Sequence, residues 1–416
     1  MAHPRERPAS YGWMKRRDFL RSSAAAVSAA GLLASCGADN ENTGSLVKVA
    51  TPDDPSTLPI SDDNSPIDSN LEPEAGPLKI FNWNDYLWPK VAKNFGKEYG
   101  VEFEISTFYN MSEAVAKMRT GQVDYDIFFP TPDVLPKLVA GNLLQPLNHD
   151  YIPNLKANVW PELTDPFYDQ DAHYTVPYFV YSTGIAWRKD MVSEDIAARP
   201  NPYDVFWDSQ YSGKIGIYDD YREAIGMVLT RNGISDVNTG SSKALALAEE
   251  QLKEMADKVK VRTTIDGAYA KLPEGQFAIH QSWSGDIIAA PFYMPGDDYG
   301  DPDGLLQFWW PEGEGIVGND TIAIPKGAKN PVLAHHFLNF LLANKNALKN
   351  FSWVGYQPPV SAMDPATLVK DGYVVPNLES AILERKALES DKQLLALPAP
   401  IDQKWQNVWS SFKSGV

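Results

Sequence analysis

The sequence predicts an α/β protein with a mostly parallel sheet, divided into two domains. Three observations carry this expectation. From residue 78 onward, short apolar runs of strand character alternate with helical stretches over short connections, the pattern of strands joined by helical crossovers. At 416 residues the chain is longer than one ordinary core supports. No Pro/Ser-rich linker separates the two blocks of elements, so the expected boundary is a pair of crossing strands.

In the first block, "LKIFNW" (78–83) reads as a strand and "YLWPKVAKNFGKEYG" as a helix ending at Gly100. "VEFEISTF" alternates like a strand, "SEAVAKMRTGQ" is helical, "YDIFFP" is a short buried strand and "DVLPKLVAGN" is helical again. In the second block, "TGIAWRKD", "KIGIYDD", "FAIHQSW" and "NDTIAIP" read as strands. "YREAIGMVLTRNG", "SSKALALAEEQLKEMADKVK" and the late "PVLAHHFLNFLLANKNALKNFSWVG" read as helices. There is no clean internal repeat.

The N-terminus bears on compartment. "MKRRDFLRSSAAAVSAAGLLASCG" has a basic start, a mildly apolar Ala-rich run and small residues before Cys36, the layout of an export signal. Arg16-Arg17-Asp18-Phe19-Leu20 resembles the twin-arginine motif. Leu33 to Cys36 resembles a lipobox, so 1–35 is the expected signal and Cys36 the expected lipidated residue. Cys36 is the only cysteine, which rules out an intrachain disulfide. No later run of 18 or more apolar residues occurs, so lipid is the one membrane attachment the sequence offers. Residues 36–77 are rich in Asp, Glu, Pro, Ser and Asn with no apolar period, and read as a flexible acidic tether of poor order.

The formal charge is -17, and removal of 1–35, with six basic and two acidic side chains, takes it to about -21. A nucleic acid demands a basic face, so that partner is excluded. The acidity fits a cationic ligand, and equally simple solubility. There is no Gly-rich phosphate loop and no Cys/His cluster at metal-ligand spacing, so neither cofactor nor metal is expected. His335 and His336 are helix neighbours that point apart. "SWSGD" (282–286) lacks the first glycine of a nucleophile elbow.

Four places combine rings and carboxylates at element ends. They are Trp83-Asn84-Asp85-Tyr86; Asp220 and Glu223 in "YDDYREAIGM"; Trp283 and Asp286 in "SWSGD"; and Asp320 in "GIVGNDTIAIP". Structural roles compete. Asp85 can cap the next helix, Asp220 and Glu223 are spaced as a capping box, and Asp320 can be a turn residue. In open α/β sheets, however, ligands bind beyond the carboxyl ends of strands, and a cleft between two domains would gather all four. A protonated amine entering a cleft needs charged acceptors for its lost hydration. Methylenes between amines need apolar walls, and indole and phenol faces serve both needs. Rings with several carboxylates therefore suit an aliphatic polyamine. Another organic cation or a small sugar remains open, as does a glycosidase using two of the acids.

"FNWNDY", "YDIFFP", "GNLLQPL", "YTVPYF", "DDYREAIGM", "IHQSWSGD", "NDTIAIP" and "HHFLNFLL" occur in an order that resembles the polyamine (spermidine/putrescine) substrate-binding proteins of bacterial ABC importers, from about residue 78 to the C-terminus. The resemblance implies a two-lobed periplasmic-binding-protein-like fold (type II), each lobe a mixed or parallel sheet flanked by helices, with hinge strands between. Lobe one would be 78–182 plus 321–357, and lobe two 183–320 plus 358–416. It implies an exported, non-enzymatic receptor at the outer face of the cytoplasmic membrane or in the periplasm, delivering its ligand to a permease and its ATPase subunits. Ligand roles carry over to Trp83, Asn84, Asp85, Tyr86, Thr131, Asp220, Glu223, Trp283, Asp286, Asp320 and Tyr356. Two positions depart from the family pattern. Gly318 stands where spermidine-type members have tryptophan, and Asp133 where some have tyrosine, a carboxylate for an extra ammonium.

Overall fold

The computed structural model describes residues 50–121, 124–295, 301 and 304–415. The signal and Cys36 lie outside the described residues. Eleven strands form one mixed sheet: β1 (Leu78–Trp83), β2 (Phe103–Phe108), β3 (Ile127–Phe128), β4 (Leu144–Gln145), β5 (Thr175–Arg188), β6 (Ile215–Ile217), β7 (Arg262–Thr263), β8 (Ile279–Trp283), β9 (Leu306–Trp309), β10 (Ile316–Pro325) and β11 (Lys392–Gln393). The main path runs β2-β1-β3-β10-β5-β8-β6-β7. Its two wings, β2-β1-β3 and β8-β6-β7, are parallel within themselves. Between them run the two long strands β5 and β10, antiparallel to each other and to their neighbours in each wing. The expectation of a mostly parallel sheet thus holds in each wing and fails at the centre. Hydrophobic periodicity reports burial and not strand direction, so the sequence carried no signal for that reversal.

The helices follow the apolar periods that predicted them. Pro89–Tyr99, with Pro at its start, buries Val91, Ala92 and Phe95, and the proline's missing N–H is no loss at a first turn. Ser242–Val259 buries a Leu245, Ala248, Leu252, Met255 and Val259 stripe. With Tyr221–Arg231 and the C-terminal helix Ala399–Lys413, it closes the core of the second wing around Trp405, Val408 and Phe412. The first wing packs Phe81, Phe108, Met118 and Phe128 into a separate aromatic cluster. His335 is fully buried, and its Nε2 accepts from the Asn148 N–H at 3.0 Å. Burial lowers its pKa to about 4.

Residues 50–77 differ from the expected loose tether. Leu58 and Asn64 are buried. The Asn64 amide donates to Asn142 Oδ1 and to the Leu144 carbonyl, Tyr174 OH donates to the Pro59 carbonyl, and Tyr151 OH to the Asp68 carbonyl. Glu74 accepts from the Val332 and Leu333 N–H groups at a helix start. The segment is a strap stitched to the first wing by polar contacts. Such contacts leave no apolar period in the sequence, which is why composition alone misread it.

Candidate functional site

Where the wings face each other, a cleft of about 760 Å³ is lined by Trp83, Asn84, Asp85, Tyr86, Thr131, Asp133, Asp220, Glu223, Trp283, Asp286, Asp320 and Tyr356. All twelve positions singled out in the sequence therefore come together, although Trp83 and Tyr356 lie 273 residues apart in the chain. β1 ends at Trp83, β8 ends at Trp283, and Asp220 follows β6 by three residues. This is the arrangement expected of ligand groups carried at the carboxyl ends of strands.

Asp320 sits inside β10, not in a turn. The β5–β10 register slips between Asp320 and Thr321, so that Tyr178 is the extra residue of a bulge. Bulges re-aim side chains. Here Asp320, only 5 % exposed, accepts a hydrogen bond from Tyr86 OH. Tyr178 OH in turn donates to the Tyr86 carbonyl at 2.6 Å and accepts from Asn350. Burial pushes the Asp320 carboxyl up to about 7, opposed by the Tyr86 bond and reinforced by the charge of Asp133.

Asp286 lies in the first turn of Ser284–Ala289 and accepts from two phenols, Tyr218 at 2.6 Å and Tyr356 at 2.7 Å. Burial again dominates and raises it to about 7. The Tyr356 ring approaches so closely that a Cβ on Gly285 would lie 2.2 Å from it, so only glycine allows that phenol to reach Asp286.

Asp220 caps Tyr221–Arg231, accepting from the Arg222 N–H at 2.8 Å and the Glu223 N–H at 3.1 Å. The capping box is half formed. Glu223 turns away from the helix start, and its Oε1 accepts instead from Trp283 Nε1 at 2.8 Å. Its Oε2 makes no well-aligned hydrogen bond among the described residues, the nearby Thr183 hydroxyl included, although Glu223 is 3 % exposed. Burial and the neighbouring Asp220 raise its pKa to about 7. Asp85 is no cap, because Pro89–Tyr99 begins at Trp88 without a side-chain bond. It lies at the rim with φ +54°, held by the Asn84 amide at 2.8 Å. Thr131 and Asp133 stand at the start of a short 3-10 turn after β3, facing the same space.

The walls are aromatic. Trp283 stacks on Tyr218 with centroids 3.7 Å apart and planes at 15°. Tyr86 meets Tyr356 edge-on at 4.9 Å. Trp83 packs on Phe108, and its Nε1 is buried without a partner among the described residues. Sequence reasoning missed Tyr181, Tyr218, Tyr269 and Tyr293. Tyr218 lies beneath Trp283 and the other three line the cleft. Tyr181 and Tyr218 sit within apolar strand contexts that give no hint of a polar task. Among the described residues, Asp286, Asp320 and Glu223 have no ion-pair partner, and no cluster of metal-ligand type occurs. An ion pair between Lys137 and Asp402 at 3.0 Å lines the same cleft and engages none of these three.

A family model for bacterial extracellular solute-binding proteins matches residues 90–374. The chain belongs to that family. Its solute-binding relatives include the spermidine/putrescine-binding periplasmic protein of Salmonella typhimurium, 27 % identical over 332 residues, 79 % of this chain and 86 % of the relative. The putrescine/cadaverine-binding protein of Pseudomonas aeruginosa is 26 % identical over 293 residues, 69 % of this chain and 80 % of the relative. A solved structure from Listeria monocytogenes superposes with a TM-score of 0.69 at 26 % identity, covering 81 % of this chain and 98 % of the other. The periplasmic-binding-protein-like fold is therefore shared. Members of this family bind solutes, and relatives of this one are periplasmic. No described helix is long and apolar enough to cross a membrane.

Proposed function

We propose that the cleft captures a linear polyamine of the putrescine/spermidine class and that closure around it presents the cargo to an ABC importer. One observation carries the reading. Asp286, Asp320 and Glu223 are buried among aromatic rings, oriented by phenol and indole donors, and paired with no cation among the described residues. Such an array is unfavourable empty and favourable around ammonium groups, which supply the missing charge while rings pack on the methylenes. The relatives' ligands support the same class.

The ligand residues come from both wings, so bound amine bridges them only when the lobes are closed and shifts the population toward closure. We place the hinge inside β5 near 182/183 and β10 near 320/321, with lobe one as 78–182 plus 321–357. No step of this cycle is chemical, and the protein acts as a receptor and not a catalyst. Export through the twin-arginine route and a lipid on Cys36 belong to the same proposal. Calorimetry with putrescine, spermidine, spermine and maltose tests it. Saturable binding of at least one amine, with none of maltose, is the expected result. Binding of maltose alone, or hydrolysis of a glycoside, would refute it.

A further inference from the structure

Among the cleft phenols, Tyr181, like Tyr269 and Tyr293, keeps its hydroxyl free of protein partners, and it alone of the three lies on the central strand β5. Tyr86, Tyr178, Tyr218 and Tyr356 each spend the hydroxyl on a protein partner, whereas the Tyr181 hydroxyl makes no hydrogen bond among the described residues. The register of β5 against β10 sets Tyr181 opposite Gly318. A Cβ on Gly318 would lie 2.6 Å from both the Cζ and the hydroxyl oxygen of Tyr181. The phenol therefore lies over the glycine and fills the space a side chain at 318 would take. From there its ring meets Trp283 at 6.0 Å and 64°, and Tyr356 at 6.3 Å and 76°. Burial, reinforced by the charges of Asp320, Glu223, Asp133 and Asp220, keeps its hydroxyl protonated. Glu223, which lines the same cleft, has an oxygen, Oε2, with no well-aligned hydrogen bond among the described residues.

We propose that Tyr181 is a ligand-contacting residue that selects cations bearing N–H groups over quaternary ammonium ions, its phenol oxygen accepting an ammonium N–H while the hydroxyl keeps its own proton. The inference rests on the polyamine reading of this cleft. Ring faces alone hold any cation, including a fully methylated one that has no hydrogen to give. An oriented oxygen among carboxylates adds a charge-assisted bond only for primary and secondary ammonium groups. Gly318 is then the positioning residue that lets the phenol lie where it does.

The test is calorimetry on the full mature chain with two probes, putrescine and its bis-quaternary hexamethyl derivative, on wild type, Tyr181→Phe and Gly318→Ala. Tyr181→Phe keeps the ring and removes only the oxygen. It should weaken putrescine about tenfold, the size of one charge-assisted hydrogen bond, and leave the bis-quaternary ion within about twofold. Gly318→Ala displaces the ring and should weaken both probes. Equal losses for both probes in Tyr181→Phe, or no loss for putrescine, would overturn the assignment while leaving the polyamine reading intact. A wild type that binds no putrescine, spermidine or spermine would overturn both.

Discussion

Replacing Asp320 with asparagine keeps the size of the side chain and its contact with Tyr86 but removes a charge from a position 5 % exposed. If an ammonium group is buried against this carboxylate, the variant leaves it short of a partner, at a cost of about 3–5 kcal/mol. The wild type must first ionise a carboxyl whose pKa is about 7. At pH 7.5 that costs only ~0.2 kcal/mol, but at pH 5.5 about 2 kcal/mol. Affinity should therefore fall roughly a hundredfold to several thousandfold at pH 7.5. The gap should shrink to roughly tenfold to a hundredfold at pH 5.5, because asparagine has no proton to lose. The stability of the empty protein should move the other way. The native pKa lies above the unfolded value, so the group's contribution is fully present below about pH 4 and is lost as pH rises to about 7. The variant should melt at or above the wild-type temperature at pH 7.5. Titration calorimetry at the two pH values, with thermal melts of the empty protein, reads all of this. A variant that binds within threefold of wild type at pH 7.5, or a ratio that does not contract in acid, would refute the reasoning.

Other outcomes follow from the same structure. Wild-type affinity for putrescine should rise from pH 5.5 to about 7.5 as Asp286, Asp320 and Glu223, each raised to about 7, are ionised by the incoming ammonium groups. Protons should be released on binding, visible as a dependence of the calorimetric heat on buffer ionisation enthalpy. Trp283→Ala removes the stack on Tyr218 and the donor to Glu223, and should weaken amine binding by about 1–3 kcal/mol, read as a shift in Kd. Lys137→Met breaks a partly exposed bridge to Asp402 worth at most about 1 kcal/mol, so ligand-free solution scattering should show no more than a small move toward an open form. Asn64→Ala strips two hydrogen bonds from a buried amide and should lower unfolding stability by about 1–3 kcal/mol, measured by urea titration.

What the sequence revealed about the site came from residue types that fit a core badly. A carboxylate beside tryptophan at the end of an apolar run, as at Asp85 and Asp286, fits a core badly, and these positions converge with Asp320, which precedes an apolar run. Asp220 shows the limit of that logic, since it caps a helix and lines the cleft at once. Glu223 shows the reverse, where a capping-box spacing was present but the side chain turned to an indole. Tyr181 was invisible because its importance depends on which glycine lies across from it, and register between strands 137 positions apart cannot be read from one chain. The antiparallel centre of the sheet was hidden for a related reason, as apolar strand runs look alike in either direction.

The strap formed by residues 50–77 also limits how far the receptor can stray. With Cys36 as the lipidated residue, as proposed, only 36–49 would separate the bilayer from the first stitched position near Ala50. Fourteen residues span at most about 50 Å when fully drawn out. A leash that short would keep the mouth of the molecule hovering beside the membrane and raise its local concentration at a neighbouring permease, whereas a tether running free to residue 77 would have tripled that reach.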